Sequence, residues 1–195
     1  TPPAEPLSQY SMGGPFSCGI TEATSELVCW GSDADSRATP PSGTFVHVDA
    51  GEYNACAIDA SGAIQCWGAN DRGQSSPPAG VGYEQVAVGR WAGCALDAAG
   101  APTCWGQSRN GNAGTINRVV DEAPPGPFVS MVTGWEHACG LAADGRVTCW
   151  GEATMGRLDV PDETFQHLYA EPGSERTTCG VTTAGDARCW GEVTF

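Results

Sequence analysis

The tripeptide Cys-Trp-Gly occurs five times in this chain of 195 residues, and it constrains the fold more than any other feature. The copies occupy residues 29–31, 66–68, 104–106, 149–151 and 189–191. A partner cysteine precedes each copy, and the whole unit recurs at a period of about 38 to 45 residues. A period of that length is typical of one four-stranded propeller blade. The sequence therefore predicts an all-β fold, a five-bladed β-propeller.

Each unit divides into strands by alternation and turn residues. In the third unit we predict strands over 83–88, about 94–97 and 101–105, with a hairpin turn at 98–100. A short irregular fourth strand then precedes a proline-rich link. The units span about 7–43, 44–80, 81–127, 128–164 and 165–195, and residues 1–6 are expected to complete the last blade and close the ring. All of 1–195 is then one domain.

The hairpin turns predict the disulfide pairing. In units two to five, a three-residue loop ending in glycine is typical of a turn with a G1 bulge. Facing residues in an antiparallel hairpin have a constant index sum, so the two cysteines of each unit stand opposite each other, within bonding range. Unit one has no glycine near its turn and needs a wider loop. The predicted bonds, one per blade, are Cys18–Cys29, Cys56–Cys66, Cys94–Cys104, Cys139–Cys149 and Cys179–Cys189.

Cysteine usage also predicts the compartment. Ten regularly spaced cysteines favour disulfides and an oxidising environment, so we expect a secreted, extracellular or cell-surface protein. Zinc is disfavoured because the ligands do not cluster as they do in Cys-x-x-Cys motifs. No cofactor is predicted, although Asp33-Ala34-Asp35-Ser36 resembles the start of a calcium loop, and calcium is kept as an alternative.

Charge and motif content exclude several functions. The formal net charge is −14, and such an acidic surface repels phosphate backbones, so no nucleic-acid partner is expected. The sequence lacks an apolar run of 18 residues, and no membrane insertion is expected. Because it also lacks a G-x-S-x-G elbow and a P-loop lysine motif, the chain is predicted not to be an enzyme.

The unit at Val132–Gly151 resembles the regulator of chromosome condensation repeat. It places Gly134, His137, Leu141 and the Asp144-Gly145 turn at the spacing of that repeat, and the likeness extends over all five units. The segment 67–74 has the form W-G-x-N-x-x-G-Q, followed by a proline-containing link, and resembles the bacterial β-lactamase-inhibitory branch of the superfamily. Familiar members have seven blades and lack the paired cysteines. The resemblance therefore implies the propeller strongly and the partner weakly.

The loops on one face of the propeller vary between units and carry aromatic and arginine side chains, a composition that suits recognition of a partner. In the inhibitory branch, aromatic residues of these loops contact the target, which implies Tyr53, Trp91 and Trp135 here, with Phe16 one step along. For His137 a structural hydrogen bond is favoured over a ligand role, and the five repeated tryptophans are expected to pack between blades. The candidate binding residues are Phe16, Tyr53, Asn54, Arg72, Arg90, Trp91, Arg109, Trp135, His137, Met155 and Arg176.

The leading prediction for function is binding of a protein partner through this loop face, in the form of an enzyme inhibitor or a related module. A carbohydrate-binding propeller is an alternative, with glycan as the partner. A structural subunit of an extracellular surface is another alternative. Lectin propellers tend to repeat their sugar-binding residues in every blade, whereas these loops differ from blade to blade.

Overall fold

A computed structural model describes residues 2–107, 118–170 and 176–192. Within these ranges, fifteen strands form five antiparallel sheets of three consecutive strands each. Each sheet is one blade, so the predicted all-β architecture of five blades is confirmed. The strands are β1 Leu7–Met12, β2 Phe16–Thr21, β3 Leu27–Gly31, β4 Phe45–Ala50, β5 Asn54–Asp59, β6 Ile64–Gly68, β7 Tyr83–Val88, β8 Ala92–Asp97, β9 Pro102–Gly106, β10 Ser130–Thr133, β11 His137–Leu141, β12 Val147–Gly151, β13 Phe165–Ala170, β14 Thr177–Thr182 and β15 Ala187–Gly191.

No fourth strand follows the third strand of blades one, two and four, so the prediction was wrong there; in blades three and five the predicted segment falls on residues 108–117 and 193–195, which lie outside the described residues. The chain after the third strand instead forms 3-10 turns at Ala34–Ser36 and Thr154–Gly156, and a short helix α1 at Arg118–Asp121. Asp35 and Met155 have positive φ values of 57° and 63°, which curl the backbone out of an extended path. No helix in the described ranges has both the length and the apolar composition to span a bilayer.

The hairpin between the second and third strands of each blade has the predicted geometry. Cys56 faces Cys66 with the Cα atoms 4.0 Å apart, and all five predicted disulfides are formed. Gly62 closes its loop with φ +80°, in the left-handed region that the bulged turn requires. In blade one, Ser25 takes this conformation with φ 59° at the end of a wider loop. Each closed loop contributes roughly 2–3 kcal/mol in the chain-entropy model.

Consecutive blades are joined by the repeated tryptophan. The indole Nε1 of Trp67 donates a hydrogen bond to the carbonyl of Arg37 in blade one, at 2.9 Å. Trp105 and Trp150 make the same bond to the preceding blade, also at 2.9 Å, and all three rings are buried. These bonds confirm that Trp67, Trp105 and Trp150 pack between blades, whereas Trp30 is only partly buried. They also give the curled segments after the third strands a structural purpose, because those segments supply the acceptor carbonyls.

We call the first strand of each blade the inner strand, and in blades one, two and three it makes a second connection to the next blade. The side-chain oxygen of Gln9 on β1 accepts a hydrogen bond from the backbone N–H of Val48 on β4, at 3.0 Å. Gln85 on β7 both donates to and accepts from the backbone of Met131 on β10. Polar side chains of one inner strand therefore satisfy the hydrogen-bonding backbone groups of the next inner strand. These hydrogen bonds hold the blades in register.

The inner strand of blade one has an uncovered side. Tyr10 and Met12 are 63% and 60% exposed, whereas Val48, at the position of Tyr10 in blade two, is 1% exposed. In the described part of the N-terminal segment, the Pro6 carbonyl accepts a hydrogen bond from Glu22 in blade one. The predicted completion of the last blade by residues 1–6 is not seen among the described residues, and residues 1 and 193–195 lie outside them.

Because some inner-strand methionines are buried and others are exposed, replacing a methionine by alanine should lower the free energy of unfolding by different amounts at the two kinds of position. Met131, on β10, is 1% exposed between blades. We expect Met131→Ala to lower the free energy of unfolding by about 2–5 kcal/mol, because it leaves a cavity. Met12→Ala is expected to change it by no more than about 0.5 kcal/mol. Urea unfolding with the disulfides intact measures both values, and equal losses would show that blade one is covered as the other blades are.

Candidate protein-binding face

The loop between the first and second strands of each blade lies at one end of the propeller, and the hairpins lie at the other. This follows from the antiparallel pairing of each sheet. The chain segment after each third strand emerges at the same end as the first loop. We call this end the loop face, and it includes residues 51–53, 89–91 and 134–136.

Four side chains from three blades meet on the loop face, and we call them the Arg90 cluster: Tyr53, Arg90, Trp91 and Trp135. The rings of Tyr53 and Trp91 have their centroids 5.5 Å apart. The guanidinium carbon of Arg90 lies 5.2 Å from the Tyr53 centroid, 4.8 Å from that of Trp91 and 3.8 Å from that of Trp135. One arginine therefore makes cation–π contacts with three aromatic rings.

Polar contacts fix the position of Arg90 as well. Its Nη2 donates a hydrogen bond to the Tyr53 hydroxyl at 2.9 Å, and its Nε lies 3.1 Å from a carboxylate oxygen of Glu52. The hydrogen bond between Tyr53 and Glu52 raises the pKa of Tyr53, so the hydroxyl remains protonated at neutral pH. Glu52, Tyr53 and Arg90 thus each contact the other two through polar groups.

Further arginines extend the cluster at both sides. The guanidinium of Arg72 lies 4.3 Å from the Trp91 centroid, and that of Arg176 lies 5.4 Å from the Trp135 centroid. Arg37, in blade one, lies 5.3 Å from the Tyr53 centroid. Arginines and aromatic rings therefore alternate across the loop face from blade one to blade five.

The positive charge of the loop face is largely compensated. Arg72 lies 3.7 Å from Asp71, and Arg176 pairs with Glu192 at 2.7 Å. Arg157 is buried and lies 3.4 Å from Glu136. Because the arginines have carboxylate neighbours, the face presents ordered guanidinium planes without a large net charge. Arginine planes and aromatic rings are the groups enriched at the centres of protein interfaces.

The structure brings most of the predicted binding residues together. Those that lie in or beside the Arg90 cluster are Tyr53, Arg72, Arg90, Trp91, Trp135 and Arg176. Met155 is also on this face, is 52% exposed, and has its sulfur 3.6 Å from the Nη1 of Arg176. Arg109 was predicted as well, but it lies outside the described residues.

Three predicted binding residues are buried, and this part of the prediction needs correction. Phe16, Asn54 and His137 each begin the middle strand of a blade, opposite the glycine of Cys-Trp-Gly. From that position the side chain points into the protein. Phe16 belongs to the apolar core, Asn54 donates a hydrogen bond to the carbonyl of Gln74, and the Nε2 of His137 is 2.8 Å from the Thr178 hydroxyl. The structural hydrogen bond expected for His137 is therefore confirmed.

Other residues of the site were not among the predicted binding residues. Arg37 and Arg157 are buried seven positions after the tryptophans of blades one and four, and Gln74 takes the same place in blade two. Counting from Cys-Trp-Gly would have found this position in the sequence. Glu52, the partner of Arg90, carries no such signal, because its role depends on a residue from another blade.

The acidic segment considered as a calcium loop has other partners. Asp33 accepts hydrogen bonds from the Ala38 N–H and the Thr39 hydroxyl, and Asp35 pairs with Arg37 at 2.7 Å. Over the ranges that the structure describes, no group of three or more His, Cys, Asp or Glu side chains is arranged to hold a metal ion.

Two segments, residues 45–74 and 128–157, match the family model described as the regulator of chromosome condensation (RCC1) repeat. Both segments begin near an inner strand and end in the curled segment after the third strand, so each covers most of one blade. The chain is a β-propeller, and two of its five blades match the RCC1 repeat.

Solved structures with the same architecture include plant receptors. The ectodomain of the Physcomitrella patens receptor kinase CR4 matches at 27% identity over 100% of this chain and 54% of that chain, with a TM-score of 0.81. The CRINKLY WD40 ectodomain of the Arabidopsis thaliana receptor kinase ACR4 matches at 24% identity, over 95% of this chain and 65% of that one, with a TM-score of 0.77.

Yeast RCC1 (Prp20), solved bound to Kap60, matches at 17% identity over 95% of this chain and 56% of that chain, with a TM-score of 0.70. The chain thus spans between about half and two thirds of the length of these proteins. No curated protein sequence matches it significantly. The likeness to the inhibitory branch of the superfamily stays a prediction.

Burial of His137 predicts a pH-dependent stability. Burial first, and then the charge of Arg157, lowers the pKa of His137 from 6.5 to about 4. A lowered folded-state pKa contributes stability above pH 6.5 that is lost as the pH falls towards 4, up to about 3 kcal/mol. We expect the stability difference between the wild type and His137→Gln to shrink by up to that amount over this range.

Subtracting the free energy of unfolding of His137→Gln from that of the wild type removes the contributions of the other titrating groups. Burial lowers the pKa of His47 to about 4, which acts in the same direction, and raises the pKa of Asp49 to about 6, which acts in the opposite direction. Both groups are present in the two proteins compared. Urea unfolding at pH 7, 5.5 and 4 gives the two curves, and parallel curves would contradict the assignment to His137.

Proposed function

We propose that the chain is a secreted or cell-surface propeller that binds a protein partner through the loop face, with the Arg90 cluster at the centre of the contact. The observation that carries the proposal is the stacking of Arg90 on three aromatic rings from three blades. Such a cluster offers a large contact area. Its side chains are already held in place, so they have little conformational freedom left to lose on binding.

The rings of this cluster are not part of the propeller core. Tyr53, Trp91 and Trp135 are partly exposed, whereas the repeated tryptophans Trp67, Trp105 and Trp150 are buried between blades. Trp91 and Trp135 also stand outside the repeated tryptophan position. Trp91 and Trp135 therefore neither occupy the repeated sequence position nor pack between blades as the repeated tryptophans do. This supports a role in recognition over a role in stability.

Proteins of similar architecture support a protein as the partner. Yeast Prp20 has been crystallised with Kap60, and another structure of Prp20p is described with its binding to Gsp1p and histones. The CR4 and ACR4 matches are ectodomains of receptor kinases, which supports an extracellular setting. The five disulfides favour the same setting, because cytosolic thiols are kept reduced.

The proposal assigns binding to the loop face and no catalysis. The loop-face carboxylates Glu52, Glu136 and Glu192 form ion pairs with arginines of the same face, and these pairs give the carboxylates a structural role. Inhibition of an enzyme is the form of binding that the likeness to the inhibitory branch favours, and it is part of this proposal.

The double variant Trp91→Ala/Trp135→Ala tests the proposed surface. Because central aromatic residues at interfaces contribute at least about 2 kcal/mol each, we expect partner capture to fall more than tenfold. Pull-down from the secreted fraction of the source, quantified by mass spectrometry, measures the recovery. The matched control is Tyr169→Ala, which removes an aromatic side chain that is 57% exposed on β13, outside the cluster.

The results separate the alternatives. Loss of one protein with the double variant and its retention with Tyr169→Ala is the expected outcome. Equal recovery with all three proteins would overturn the loop face as the binding surface. Binding to a glycan array, lost in the double variant and without any protein partner, would replace the proposal with the carbohydrate-binding alternative.

A further inference from the structure

Residues from all five inner strands line a cavity with a volume of about 310 Å³, which we call the channel. Its walls differ in character. Aliphatic side chains such as Val132 and Leu168 line the part formed by β10 and β13, and polar side chains on β1 and β4 line another part. The volume lies in the range of pockets that bind small ligands.

Asp49 on β4 is the carboxylate set deepest among the inner strands. One of its oxygens accepts a hydrogen bond from the Ser11 hydroxyl at 2.7 Å, and the other accepts one from the Val88 N–H at 2.6 Å. A carboxylate has about four acceptor sites, so these bonds leave capacity for further donors. Over the described residues Asp49 has no ion pair, and a buried charge without a counter-charge is costly.

His47 provides a second acceptor in the same channel. It lies two residues before Asp49 on β4, so both side chains are on one side of the strand. Its Nδ1 is buried and has no hydrogen-bond partner within the described part of the chain. Burial lowers the pKa of His47 to about 4, so the ring is neutral at pH 7 and has one nitrogen that accepts a hydrogen bond.

The other charged residues that line the channel do not supply a cation to Asp49. Arg90 stands at the loop-face end, where it pairs with Glu52 and stacks on Trp135. A metal ion does not suit the acceptors, since hard cations take six or more oxygen ligands and Asp49 is a single carboxylate among neutral groups. A ligand that matches these acceptors and the aliphatic wall is a small organic cation with several N–H donors and an apolar chain.

We propose that the channel binds a primary alkylammonium group, with Asp49 and the Nδ1 of His47 accepting its hydrogen bonds. The methylene chain packs on the aliphatic wall at Val132 and Leu168. The same chemistry is available from a free amine and from the lysine side chain of a protein. Arg90 and Trp135 of the Arg90 cluster line the loop-face end of this channel, whereas Asp49 and His47 lie on β4, and the amine site does not rest on the proposed protein contact.

Calorimetric titration of the whole chain with n-pentylammonium tests the site. At pH 8 the amine is protonated, like a lysine side chain, and Asp49 is ionised. We expect saturable binding of the amine and at least tenfold weaker binding of n-pentanol, which has the same shape without the charge. Asp49→Asn is expected to weaken amine binding about tenfold or more, as is usual for loss of a charged hydrogen-bond partner. Glu84→Gln, at an exposed position on β7, is the matched control and is expected to leave binding unchanged.

Each arm has a defined meaning. Equal affinity for the amine and for pentanol in the wild type would overturn the proposal without use of any variant. Absence of amine binding, or binding that Asp49→Asn leaves unchanged, would overturn it as well. A parallel titration with Nα-acetyl-lysine amide distinguishes the sources, since binding of both ligands points to a lysine side chain and binding of pentylammonium alone points to a free amine.

Discussion

The contact between consecutive blades determines the rest of this structure. Each blade has three short strands, and the sheet of one blade is covered by the sheet of the next. The indole N–H of Trp67, Trp105 or Trp150 bonds to a carbonyl of the preceding blade, and Gln9, Asp49 and Gln85 bond to backbone groups of the following inner strand. Because the same two connections recur from blade one to blade four, these blades present their variable loops at the same end.

The loop face is built from this regularity. Glu52, Tyr53, Arg90 and Trp135 come from three successive blades, and they meet because the blades are held in register. Partial burial and paired charges keep the arginines in place before any partner arrives. A surface arranged in this way loses less conformational freedom on binding than flexible loops would, which is the physical basis for assigning recognition to it.

The sequence was sufficient for features that depend on local geometry. The Cys-Trp-Gly count predicted the blades, and the index sum around glycines such as Gly62 predicted the disulfides. It was insufficient where burial depends on register between strands. Phe16, Asn54 and His137 looked like loop residues, yet they share the first position of a middle strand and point inward. The fourth strand was expected from repeat length, but the backbone at Asp35 curls, and the carbonyl of Arg37 beside it accepts the hydrogen bond of Trp67 in the next blade.

The central claim, that the loop face binds a protein through the Arg90 cluster, is tested most directly by hydrogen–deuterium exchange on the complex with a captured partner. The account predicts new protection at residues 51–53, 89–91 and 134–136, with the hairpins at 60–62, 98–100 and 143–145 unchanged. Protection confined to the hairpins would place the partner at the other end of the propeller and contradict the claim.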